Sequence, residues 1–285
     1  MTIVESLLGH NQVDLALECL GSLRRCSQEP VRLRLRDDGT LTESDRERLV
    51  ALGSPEIVDR RTADAQVEPL LSAHPASLEY RRRNPLGLKL FDIALGQPGR
   101  VHFCDTDVLF LRPVEGLFAV VPDDQGVFLR DVQNAYSLRS WQLLRHRMRL
   151  PQRINTGLFA FPRERFDLDL VEWYLSRPEM AFAPMWQEQT AWALLAGSLA
   201  ASWYEPAHFR LATGTAPAGG PATALPCALH FVAPTRRFLG SWRSQPASQP
   251  ALLSPIRALA IRARPLSAGS LAMTELNRMQ RRNKS

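Results

Sequence analysis

The sequence predicts one large α/β domain over residues 1–240, a single mixed central sheet flanked by helices, followed by a basic tail over 241–285. Three observations point there. A chain of 285 residues can bury a full core. Short apolar, β-prone runs alternate with helix-periodic segments along most of it. One of those runs, from Arg100 to Pro113, is interrupted by two carboxylates, Asp105 and Asp107. Buried strands of α/β sheets read as continuous apolar runs, and ligands gather at the strands' carboxyl ends. In an extended backbone, residues two apart point the same way, so both carboxylates face one ligand. Two like charges held that close call for a positive charge between them, and a hard divalent cation with oxygen ligands is the natural candidate. A second such triplet, Asp167-Leu168-Asp169, opens a helix-like segment instead. Acids there favour the positive end of the helix dipole, so that pair reads as a helix start.

In chain order, Thr2 to Leu8 reads as a strand and Asp14 to Leu23 as a helix with apolar positions at Leu15, Cys19, Leu20 and Leu23. Val31 to Leu35 is a strand that ends in Asp37-Asp38-Gly39-Thr40, where Asp38 either reaches a ligand or makes a plain turn. Thr42 caps a helix running to about Leu52, and Glu56 to Asp59 is a short strand. A helix is expected from Ala63 to Ala73. A basic cluster, Arg81 to Arg83, then precedes Asn84-Pro85, where a helix begins and runs to Leu95. Lys89 on that helix is either solvated or a point-charge partner for phosphate. Val127 to Leu129 is strand-like and leads into a polar segment from Arg130 to Asn134, including Asp131, at the expected crevice.

Ile154 to Phe161 is an apolar strand with a polar start, Asn155-Thr156-Gly157; Gly157 either admits a close backbone or ligand or is an ordinary strand-edge glycine. Leu168 to Leu175 and Trp186 to about Leu199 are helical. Glu188 and Gln189 lie in the first turn of the second, so Glu188 either stabilises the dipole or takes part in chemistry. Ser202 to Glu205 is a short strand, and Ala212 to Pro226 a flexible loop of the kind that covers active sites. Ala228 to Val232 places His230 in an apolar strand, as a satisfied core residue or as the third member of a metal site.

No uncharged apolar stretch reaches the roughly 20 residues of a membrane span, and the N-terminus lacks a basic region followed by an apolar core, so a cytoplasmic protein is expected. Cys19, Cys26, Cys104 and Cys227 show no paired metal spacing, which points to reduced thiols. The net charge of +6 is carried almost wholly by arginine, with lysine only at 89 and 284. That balance permits an anionic substrate or an acidic membrane surface. Nucleic acid is not expected, since no helix-turn-helix, zinc or aromatic-stacking signature accompanies the charge.

Together these pieces resemble the GT-A fold of nucleotide-sugar-dependent glycosyltransferases, above all the group containing glycogenin and the bacterial lipopolysaccharide galactosyltransferases. The resemblance covers about Thr2 to Arg237. It implies that Asp105, Asp107 and His230 hold Mn²⁺ or Mg²⁺, and that Lys89 contacts the nucleotide-sugar. It also implies that Asp131 to Asn134 hold donor-sugar hydroxyls, that Asn155-Thr156-Gly157 forms the polar strand start, and that Glu188-Gln189 stands near the reacting sugar. The implied activity is hexosyl transfer from a nucleoside-diphosphate sugar, with a UDP-sugar favoured, to a glycan, lipid or protein acceptor, with retention at the anomeric carbon. The chain departs from the family pattern in two places. The late motif His-Phe-x-Gly-x-x-Lys stands here as His230-Phe-Val-Ala-Pro-Thr-Arg236, and Glu188 replaces an Asp.

Two alternatives are weighed beside this reading: a haloacid-dehalogenase-type phosphatase with Asp105 as nucleophile, and a non-catalytic protein that binds a nucleotide-sugar or a membrane surface. In the tail, Leu252-Leu253 and Ile256 to Ile261 are interleaved with arginines. That composition is expected to bury little, and it reads either as solvated chain or as a peripheral contact with an anionic membrane. On this reading a chain ending near Gly240 keeps its domain.

Overall fold

The computed structural model describes residues 1–96, 98–216, 225–243 and 260–282. The chain opens with β1 (Thr2–Leu8), α1 (Val13–Cys26), β2 (Val31–Asp37), α2 (Glu43–Leu49), β3 (Glu56–Val58) and α3 (Arg60–Val67). Next come α4 (Pro75–Arg83), α5 (Pro85–Leu95), β4 (Arg100–Cys104) and β5 (Val108–Phe110). β6 (Gly126–Arg130), α6 (Ser140–Arg145), β7 (Ile154–Pro162), α7 (Leu168–Leu175), α8 (Gln187–Ala196) and β8 (Ala201–Tyr204) form the middle of the chain. β9 (Phe209–Leu211), β10 (Ala228–His230), α9 (Leu239–Arg243), β11 (Ala260–Arg262) and α10 (Ala268–Arg282) complete it.

Eight strands make one mixed sheet in the order β11-β8-β6-β7-β4-β1-β2-β3. β1 to β3 and β4 run parallel, and β7 lies antiparallel between β4 and β6. A small sheet, β5-β10-β9, stands beside it. The expected mixed α/β architecture is therefore present. One face of the main sheet is filled by aromatic side chains: Phe159 lies 4.8 Å from Trp192 of α8 and 5.6 Å from Phe128, ring centre to ring centre. On the other face Leu20 and Leu23 of α1 join Val4, Leu8 and Leu35 in a second apolar cluster.

Local chemistry explains the elements that carry the site. The Thr42 hydroxyl accepts from the Asp45 amide at 3.2 Å and the Asp45 carboxylate accepts the Thr42 amide at 2.9 Å, a reciprocal cap for α2. Asn84 accepts from the Leu86 amide at 3.0 Å and Pro85 supplies the first helical residue, so α5 starts where the sequence indicates. Residues Gly87 to Ala94 of α5 are all buried. A Cβ on Gly87 would stand 2.5 Å from the Tyr80 carbonyl, so only glycine lets α4 and α5 approach this closely.

Several expectations are corrected. The run from Arg100 to Pro113 is two strands in two sheets, with Asp105 to Asp107 in the turn between them. The Arg81 to Arg83 cluster is the last turn of α4, whose Arg81 is fully buried and bonded to Asp92 at 2.6 Å and Asp64 at 2.7 Å. The helix expected from Ala63 begins earlier, with Asp59 accepting from the Thr62 amide, and ends before Pro69. α8 stops at Ala196 rather than Leu199.

The tail is corrected as well. Residues 260–262 pair with β8 as an added strand, and Leu266 and Leu271 are buried in the main core. α10 is fastened by Glu275, which accepts the Ser140 amide at 2.6 Å. Composition hid a helical spacing that buries one face. A chain ended near Gly240 would lack all of these contacts. Leu252-Leu253 and residues 256–259 of the tail, and residues 217–224 of the expected loop, lie outside the described residues. Among the described residues, no helix is long and apolar enough to cross a membrane.

Candidate functional site

At the end of β4 the backbone turns sharply. The Asp105 amide donates to the Gly157 carbonyl at 2.7 Å, the Val108 amide to the Asp105 carbonyl at 3.3 Å, and the Phe231 amide to the Asp107 carbonyl at 2.8 Å. The turn is thus pinned between β7 of the large sheet and the end of β10 in the small one. The two carboxylates converge because the chain turns, not because a strand alternates. His230, last residue of β10, meets them: Nε2 lies 3.1 Å from Asp107 Oδ1 and 3.8 Å from Asp105 Oδ2. One ligand atom from each of Asp105, Asp107 and His230 can be chosen so that all lie within 4.8 Å of one another. Two carboxylate oxygens and an imidazole nitrogen form a donor set able to hold a divalent cation.

Two protein cations flank the carboxylates. Lys89 is buried rather than solvated; its Nζ donates to Asp105 Oδ2 at 2.8 Å, lies 4.0 Å from Glu188 and sits 4.7 Å over the Phe103 ring. Arg236 donates to Asp107 Oδ2 from Nε at 3.0 Å and from Nη2 at 2.7 Å. Burial opposes ionisation of Asp107, but His230 and Arg236 outweigh it and hold the carboxyl down at about 2. Burial likewise disfavours a charged His230, yet Asp107 more than compensates and raises its pKa.

Glu188 stands behind Lys89 on the first turn of α8, with Thr156 donating to Oε2 at 3.0 Å. Burial pushes its carboxyl up to about 7, against the pull of Lys89. Gln189 is turned toward the Ala135 carbonyl, to which it donates at 2.9 Å. Asp131 is buried, and burial raises its pKa; it accepts from Asn155 Nδ2 at 3.1 Å. Asn134 donates to the Ser270 hydroxyl at 2.8 Å and accepts the Arg153 amide at 3.1 Å, so its amide ties α10 to the sheet. Asp38 accepts from the Thr40 amide at 3.0 Å in the turn after β2.

A cavity of about 700 Å³ opens at this end of the sheet. Asp38, Lys89, Asp105, Asp107 and Arg236 line it together, while Asp131, Asn134, Asn155, Gly157, Glu188, Gln189 and His230 do not. Gly9, His10, Asn11 and Gln12, just past the carboxyl end of β1, also line it, and sequence reasoning passed over them. Small and polar residues directly after the first strand were the available signal. Thr156 was likewise missed as the hydroxyl partner of Glu188.

No protein-family description and no curated protein matches this sequence. Solved structures do match in shape. Mouse xyloside xylosyltransferase 1 superposes with a TM-score of 0.52 at 12% identity, over 82% of this chain and 98% of that one. The bifunctional glycosyltransferase WbbM superposes with a TM-score of 0.50 at 13% identity, over 81% of this chain and 46% of its own, so this chain spans less than half of WbbM. The likeness establishes the fold: the chain has the GT-A architecture of these glycosyltransferases.

Proposed function

We propose that this chain is a glycosyltransferase that moves a sugar from a nucleoside-diphosphate sugar, a UDP-sugar being favoured, to a glycan, lipid or protein acceptor. The observation that carries the reading is the meeting of Asp105 and Asp107 with Lys89 and Arg236 around one cavity at the carboxyl ends of the main sheet, with His230 buried against the two carboxylates. That is the combination a departing diphosphate requires. Asp105, Asp107 and His230 would hold Mn²⁺ or Mg²⁺, which when bound supplies Lewis-acid stabilisation of the charge on the leaving diphosphate. Lys89 and Arg236 add fixed positive charge on the same side, already oriented by the carboxylates they touch. Glu188, pushed up to about 7 by burial and held by Thr156, would exchange a proton near neutral pH beside Lys89. Retention at the anomeric carbon belongs to this proposal. The phosphatase alternative has no support, because the only lysine downstream of Asp105 is Lys284 and the fold is GT-A.

Hydrolysis of UDP-sugars with and without Mn²⁺, beside a phosphomonoester control, tests the reading. Metal-dependent release of UDP with an inert phosphomonoester is the expected result. Phosphomonoester turnover, or tight donor binding with no turnover in the presence of any acceptor, would reject it.

A further inference from the structure

Asn155 stands at the centre of a buried chain of polar groups. Its Oδ1 lies 3.0 Å from the Gly157 amide, which can only donate, and its Nδ2 lies 3.1 Å from an Asp131 oxygen. Those two neighbours fix the orientation of the amide. The His230 Nδ1 lies 2.8 Å from the same Oδ1, so Nδ1 must carry the proton and donate it. Asp131 is itself held, donating its amide to the Arg153 carbonyl at 2.7 Å and accepting the Gln133 amide at 3.2 Å. Asp131, Asn155 and His230 are each 7% exposed or less.

Gly157 completes the arrangement. A Cβ there would stand 2.3 Å from Cε1 and Nδ1 of His230, so the ring packs directly on the glycine backbone. Turning the ring over would put a carbon where Nδ1 meets Asn155 and move Nε2 onto Gly157. In the neutral ring, the form a metal ligand takes, a proton on Nδ1 leaves the Nε2 lone pair facing Asp105 and Asp107.

We infer that Asn155 is a positioning residue for His230 as a metal ligand, and that Asp131 positions Asn155 in turn, a role that rests on the metal reading above. It differs from the donor-sugar contact that the resemblance implies for Asp131. A fixed tautomer and ring orientation are what a ligating histidine needs, and loss of such an outer partner lowers metal affinity by about ten- to a hundredfold.

The test begins with the unaltered protein. With ¹⁵N-labelled histidine and ¹¹³Cd²⁺ as the probe ion, Nε2 couples to cadmium and Nδ1 keeps its proton. Cadmium on Nδ1, or a proton on Nε2, overturns the inference. Asn155→Ala is then expected to weaken Mn²⁺ binding, measured calorimetrically without nucleotide, by roughly ten- to a hundredfold. The exchange Asn155→Asp with Asp131→Asn should recover most of that loss, because the new amide at 131 donates to the new carboxylate at 155, whose other oxygen still accepts Nδ1–H. An Asn155→Ala protein that binds Mn²⁺ within twofold of the parent overturns the positioning role. The metal reading fails separately, if Asp107→Asn leaves Mn²⁺ affinity unchanged.

Discussion

Two stretches of this chain carry the same triplet of acid, any residue, acid, and they could hardly be used more differently. Asp105 and Asp107 sit in a turn between two sheets, with side chains 24% and 5% exposed, facing a lysine, an arginine and a histidine. Asp167 and Asp169 open α7; Asp167 accepts the Leu170 amide at 2.9 Å as a helix cap, and Asp169 is 95% exposed beside His74. The first pair concentrates negative charge where little water can screen it, so cations must gather. The second pair satisfies backbone donors at a helix start and leaves its remaining charge to solvent. The motif is the same; burial and partners decide what it does.

That contrast can be broken experimentally. Asp107→Asn should lower metal-dependent donor turnover on the order of a thousandfold, the scale of losing a preorganised electrostatic contact, with far-ultraviolet circular dichroism unchanged. A variant that retains turnover would make the buried pair as inert as the exposed one. Burial of acids near the site is read next through Glu188, whose folded pKa of about 7 lies above its ordinary value of 4.5. A carboxyl raised on folding stabilises the fold fully below its unfolded pKa, and that contribution is lost as pH rises through the folded value. Denaturant unfolding should therefore find Glu188→Gln gaining on the parent between about pH 4.5 and 7, by on the order of 3 kcal/mol, and level above. A pH-independent difference would mean that Glu188 is not desolvated.

Lys89→Ala should weaken nucleoside-diphosphate binding roughly tenfold while leaving the free nucleoside nearly unchanged, since a point charge acts on phosphate. Equal losses for both ligands would limit Lys89 to neutralising Asp105. The smallest effect belongs to the exposed pair. Asp167→Ala should lower stability by about 1 kcal/mol through the lost cap and leave Mn²⁺ affinity untouched. Any loss of metal binding there would erase the distinction between the triplets.

Much of the fold was legible because its signals are local. Thr42 before an acid, Asn84 before Pro85, and the largely apolar runs in Thr2 to Leu8 and Ile154 to Phe161 each state an element within a few residues. The helix ending at Arg83 was not, because its buried face includes Arg81, a charge that Asp64, Glu68 and Asp92 make acceptable. α10 escaped for a related reason: a basic average concealed the spacing of Leu271, Thr274 and Arg278 along one face. At the site, the grouping of Asp105, Asp107 and His230 could be read from sequence, but the hydrogen-bond partners behind them could not. Asn155 and His230 are 75 residues apart, and nothing in either neighbourhood names the other.

Residues 260–282 have a bearing on the order in which the sheet assembles. Asn134 finds its partner in Ser270, 136 residues later, and β8 stays an open sheet edge until residues 260–262 pair with it. Domains form from the N-terminus as the chain leaves the ribosome. The parallel half, with Lys89, can assemble early, whereas the contacts of Asn134 and β8 wait for residues 260–282 to emerge. Until then β8 is an unpaired sheet edge, the kind of edge that can pair with another chain.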